Sequence, residues 1–113
     1  MIAENQRVTI LVVDDEWGVR ETFKMLLKDH YHVLLASTGE EAVDIFTKNS
    51  VDLTLLDIRL PDMDGIDLLK KLKEMDPGAE VIMVTAVKEI QPAVKAFKLG
   101  AYEYVVKPFS VDD

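Results

Sequence analysis

Thr9-Ile10-Leu11-Val12-Val13-Asp14-Asp15 is a short apolar run, rich in β-branched residues, that ends in two carboxylates. The apolar part predicts a strand buried on both faces, and the aspartates predict a polar turn at its carboxyl end. Val51-Asp52-Leu53-Thr54-Leu55-Leu56-Asp57 repeats the design, a strand closed by an aspartate. Between the two, Val19, Phe23, Leu26 and Leu27 recur at helical spacing from Trp17 to about Lys28, leaving Arg20, Glu21 and Lys24 for solvent. His32 to Ala36 predicts a second strand. Thr38-Gly39-Glu40-Glu41 has the form of a capping box, and Ala42, Ile45 and Phe46 supply the apolar stripe of the helix it opens.

After the loop Ile58-Arg59-Leu60-Pro61-Asp62-Met63-Asp64-Gly65, Ile66, Leu69 and Leu72 line a helix that Asp76-Pro77-Gly78 stops. Val81 to Val84 predicts a fourth strand ending at Thr85. Ile90, Val94 and Phe97 mark another helix closing at Gly100, and Tyr102 to Val106 a fifth strand ending at Lys107-Pro108. Strict alternation with short connections implies an α/β fold, a doubly wound five-stranded parallel sheet built from right-handed crossovers. In such sheets ligands bind beyond the carboxyl ends of the strands, where the strand order reverses.

At 113 residues, 49% of them hydrophobic, the chain is long enough for one domain with a buried core. Cysteine is absent, which excludes disulfides, thiolate metal sites and a cysteine nucleophile, and fits the cytoplasm. The amino terminus lacks the pattern of a signal peptide, and no apolar run approaches the roughly 20 residues of a membrane span. The net charge of −8, from 21 acidic against 13 basic side chains, repels nucleic acid and anionic lipid, so direct binding of either by this segment is not expected.

Asp14 and Asp15 follow the first predicted strand, Asp57 the third, Thr85 the fourth and Lys107 the fifth. Parallel strands bring all five to one edge. Each alone has an ordinary reading: an acidic pair caps a helix, a strand-end Asp or Thr makes a turn, a lysine is solvated. Their joint placement favours a site. Three converging carboxylates resist full ionisation unless a cation balances them, and Mg²⁺ fits that need, a hard ion that prefers oxygen, uses one or two carboxylates and readily accepts a phosphate oxygen. Thr85 can donate to a phosphoryl oxygen, and Lys107 can neutralise its charge.

Leu11-Val12-Val13-Asp14-Asp15-Glu16, Leu55-Leu56-Asp57 with the loop to Gly65, Val84-Thr85-Ala86 and Tyr104-Val105-Val106-Lys107-Pro108-Phe109 resemble, in order and spacing, the motifs of the receiver domain of bacterial two-component response regulators. The resemblance runs from about Thr9 to Phe109 and implies a flavodoxin-like (βα)5 fold. It makes Asp57 the phosphoryl acceptor and assigns Asp15, Asp57 and the backbone carbonyl of Arg59 to Mg²⁺, with Asp14 acting mainly through water. Thr85 and Lys107 would contact the phosphoryl group, Tyr104 would respond to movement of Thr85, Gly65 would permit the turn after the phosphorylation loop, and Lys107-Pro108 would be cis. The implied partners are a sensor histidine kinase or phosphotransfer protein and a C-terminal output domain outside this chain, as in transcriptional regulators.

The chain stops at Asp113, before the fifth helix such domains carry, so residues 1–113 read as a single receiver domain truncated before its last helix. Apolar surface left open on that side predicts a homodimer. Two other readings are a small phosphatase of the haloacid dehalogenase type and an interaction module that has lost phosphate acceptance. The first needs an Asp-x-Asp element, whereas Asp14 and Asp15 are adjacent; the complete set of five residues opposes the second.

Overall fold

The computed structural model describes residues 7–86 and 95–107. Five strands, β1 (Thr9–Val13), β2 (His32–Ala36), β3 (Leu53–Leu56), β4 (Glu80–Thr85) and β5 (Glu103–Val106), pair in parallel in the order β2-β1-β3-β4-β5. Helices α1 (Trp17–Leu27), α2 (Gly39–Lys48) and α3 (Gly65–Met75) and a helical stretch at residues 95–98 lie between them. The chain moves outward from β1 to β2, then returns past β1 to β3. That reversal leaves a crevice at the carboxyl ends of β1 and β3.

Side chains alternate across each strand, so one strand feeds two cores. Leu11 and Val13 of β1 join Leu56, Val81 and Met83 beneath α2 and α3. Ile10 and Val12 face the other way, joining Leu55 and Val84 against Phe23 and Leu27 of α1. Ile66, Leu68, Leu69 and Leu72 of α3 are buried, each contributing about 1.5–3 kcal/mol, whereas α1 has no fully buried residue and is anchored chiefly by two partly buried ones. α3 is therefore much the more firmly held.

Several sequence expectations shift. Leu26 is 45% exposed, so the stripe of α1 narrows to Val19, Phe23 and Leu27, while Arg20 and Glu21, expected in solvent, are half-buried. Phe97 is 50% exposed; Ala96 and Leu99, one helical turn apart, make the core contact in its place. β3 begins at Leu53, one residue after Asp52, whose N–H donates to Thr9 O at 2.9 Å and whose Oδ2 accepts from the Thr9 N–H at 2.8 Å, and β5 begins at Glu103. Thr38 Oγ1 caps α2 by accepting from the Glu41 N–H at 3.0 Å, and Glu41 reaches back to the Ser37 N–H, one residue before the cap. Ile90, Val94, Pro108 and the Lys107-Pro108 bond lie outside the described residues.

Candidate functional site

The carboxyl ends of the strands gather Asp14, Asp57, Thr85 and Lys107 as expected. Asp14, Asp57 and Thr85 are 2%, 5% and 0% exposed. Backbone bonds continue the sheet past its strands: Asp14 N–H donates to Ala36 O, Asp57 N–H to Val13 O at 3.0 Å and Lys107 N–H to Thr85 O at 2.7 Å. The five-strand register thus carries into the site.

Lys107 Nζ donates to Asp14 Oδ2 at 2.7 Å and to Asp57 Oδ2 at 3.1 Å. Two buried carboxylates share one ammonium. Burial pushes the Asp14 carboxyl above its usual range; the bonds from Lys107 and the Glu16 N–H, and the attraction of Lys107, oppose that only partly, and Asp57 adds repulsion. Burial pulls the Lys107 ammonium down, but the bonds and charges of Asp14 and Asp57 outweigh it, so the net shift is upward. The lysine supplies part of the balancing charge that the sequence assigned wholly to a metal.

Asp14 Oδ1 accepts from the Glu16 N–H at 2.9 Å, folding the β1–α1 connection into a tight acidic turn. The helix-cap reading of the acidic pair does not hold, because Glu16 is the N-cap of α1 and its side chain makes no capping bond. Asp14, Asp15 and Glu16 each offer an oxygen within 4.8 Å of the others, with Asp15 and Glu16 exposed. The expected trio was Asp14, Asp15 and Asp57; Asp57 instead joins the group through Lys107. An all-oxygen set beside a desolvated carboxylate fits a hard divalent cation such as Mg²⁺.

Arg59 N–H donates to Asp57 Oδ1 at 3.2 Å, and Arg59 pairs with Asp64 in an isolated antiparallel bridge that closes the loop. Asp64 then caps α3, accepting from the Ile66 N–H at 2.7 Å. Gly65 is required for a reason other than the turn expected: its φ is not positive, but a Cβ there would collide with the Asp57 carbonyl oxygen and come within 2.6 Å of Ile58 Cα. Its N–H donates to Ile58 O at 2.6 Å, drawing α3 hard against the end of β3. Tyr104 on β5 is half-buried against the larger core.

Three residues of the site's surroundings escaped the sequence reading. Glu16 completes the acidic turn, and its place directly after Asp14-Asp15 was the available signal. Arg20, one helical turn later, donates from Nη1 to the Asp14 carbonyl at 2.7 Å. Asp62 accepts from the N–H groups of Gly39 and Glu40, a contact across 22 to 23 residues that no local pattern announces.

The response regulator receiver domain family model matches residues 10–113. Sporulation initiation phosphotransferase F of Bacillus subtilis is 40% identical over 105 residues, covering 92% of this chain and 85% of that protein. The transcriptional regulatory protein ZraR of Escherichia coli is 36% identical over 110 residues, 96% of this chain but 25% of the relative. Among solved structures, the response regulator TrrA of Thermotoga maritima, in complex with Mg²⁺ and a beryllium fluoride, superimposes with a TM-score of 0.82 at 35% identity over 93% of this chain and 90% of that one. The doubly wound sheet, the acidic crevice at its switch point and these similarities have one explanation: the chain belongs to the receiver domain family of two-component response regulators, signalling domains phosphorylated on an aspartate.

Proposed function

We propose that Asp57 is the aspartate that accepts the phosphoryl group, from a phosphohistidine of a sensor histidine kinase or phosphotransfer protein. The observation that carries this is the buried Asp57 carboxylate at the end of β3, bonded to an ammonium it shares with Asp14. A carboxylate oxygen of Asp57 attacks phosphorus in line, the nitrogen–phosphorus bond breaks, and an acyl phosphate forms. Lys107 neutralises charge on the transferred group, and Thr85, at the adjacent strand end, donates its hydroxyl to a phosphoryl oxygen. Later attack by water on the same phosphorus returns the carboxylate.

Asp14, Asp15 and the Arg59 carbonyl, together with Asp57, would hold Mg²⁺, and Glu16 lies close enough to assist. When bound, the ion supplies positive charge where negative charge gathers on the phosphoryl oxygens. The phosphoryl group draws Thr85 inward, Tyr104 repacks, and an output domain or partner reads the altered surface. A cytoplasmic setting, a C-terminal output module concerned with transcription, and a homodimer formed through the side of α1 that exposes Met25 and Leu26 complete the reading. Light scattering checks the last, for which a monomeric mass at high concentration is the contrary result.

The decisive experiment is labelling with acetyl phosphate and MgCl2. Wild type is expected to gain one phosphoryl group and to shift its Tyr104 NMR signals, and Asp57→Asn to gain none. Undiminished magnesium-dependent labelling of Asp57→Asn would remove Asp57 from the role, and an unmoved Tyr104 in labelled wild type would remove the switch.

A further inference from the structure

Resting on the magnesium reading above, we propose that Arg20 is a positioning residue for the metal-binding turn, aiming Asp15 and Glu16 by holding the Asp14 main-chain carbonyl. The side chain of Asp14 is already fixed at both oxygens, by the Glu16 N–H and by Lys107. Asp15 and Glu16 differ: both are exposed, and among the described residues neither side chain has a hydrogen-bond partner of its own. Their directions are therefore inherited from the backbone. The carbonyl that Arg20 grips at 2.7 Å shares a rigid peptide plane with the Asp15 N–H, so fixing that oxygen fixes the plane from which Asp15 departs.

Arg20 is suited to this by its place in the fold. Its own N–H donates to Glu16 O at 3.2 Å, so the helix turn that carries the guanidinium starts from the turn that it pins. Half-burial limits the freedom of the side chain. The bond goes to a neutral carbonyl, and among the described residues Arg20 forms no ion pair with the acidic turn. Two effects then oppose each other. A nearby positive charge weakens cation binding, whereas orientation of the carboxylates strengthens it. The sign of a substitution separates them.

The test is a titration of the protein with MgCl2, followed through backbone amide NMR signals of the folded state, for wild type, Arg20→Met and Arg20→Lys. If Arg20 positions the turn, Arg20→Met raises the Mg²⁺ dissociation constant about tenfold, and Arg20→Lys, which keeps the charge but loses the planar fork, about threefold. A role through charge alone makes Arg20→Met bind Mg²⁺ more tightly and leaves Arg20→Lys unchanged, which overturns the proposal. A merely structural role lowers the urea midpoint while the dissociation constant stays at the wild-type value in both variants, which also overturns it. Should Arg20→Met not fold, Arg20→Lys decides by the same criterion. Wild type that gives no response to MgCl2 sinks the magnesium reading and this proposal with it; wild type that binds alongside variants that bind equally well sinks only the role of Arg20.

Discussion

Thr54 sits fully buried in the middle of β3, between Leu11 and Val81 on the neighbouring strands, and its Oγ1 has no hydrogen-bond partner among the described residues. A buried hydroxyl without a partner forfeits the bond it made to water, a cost of about 1–3 kcal/mol. Valine has nearly the same shape and no polar atom to desolvate. Thr54→Val is therefore expected to raise stability by about 1 kcal/mol, seen as a higher urea midpoint at unchanged slope. A lower midpoint would mean that the hydroxyl is satisfied in solution. Gly65 shows the opposite constraint at the same scale, since no side chain fits against the backbone of Asp57 and Ile58.

The amino terminus of α2 owes its first three donors to side chains. Asp62 Oδ1 and Oδ2 accept from the Gly39 and Glu40 N–H groups at 2.8 and 2.9 Å, and Thr38 accepts from Glu41. Those two backbone donors hold the Asp62 carboxyl below its usual range. A depressed folded value means that the stabilisation is complete above the unfolded value of about 4 and is lost as pH falls through the folded one. Asp62→Ala is accordingly expected to lower the urea midpoint at pH 7, and the gap to wild type to shrink progressively below about pH 4. A gap that persists in acid would show that the loss came from packing and not from the carboxylate. The same bonds tie the loop after Asp57 to the start of α2.

Across the whole molecule, Lys107 joins three strands: its bonds to Asp14 and Asp57 span 93 and 50 residues. Its side chain is 12% exposed, so the contacts are little screened. Removing one partner from a buried ionic cluster leaves uncompensated charge, and Lys107→Ala is expected to cost on the order of 3 kcal/mol at pH 7. The deficit should narrow in acid, as Asp14, whose carboxyl titrates above its usual range, takes up a proton and no longer needs the ammonium. Denaturant melts at pH 7 and pH 4 check both parts; equal deficits at the two pH values would count against the charge account. Lys107 holds the crevice together through Asp14 and Asp57, and in the proposed chemistry it turns to the phosphoryl group.

The alternation of apolar runs and polar stops settled the sheet, the helices, and the delivery of Asp14, Asp57, Thr85 and Lys107 to one edge. Those features depend on periods of two and 3.6 residues and on strand ends, which are local and so can be read along the chain. Packing alone decided that Leu26 and Phe97 stay exposed, that Arg20 turns inward to a carbonyl and that Asp62 caps a helix 22 to 23 residues away. It also decided that Lys107 lies between two carboxylates. Each of these depends on distances between elements brought together only when the sheet closes, and no spacing within one element encodes them.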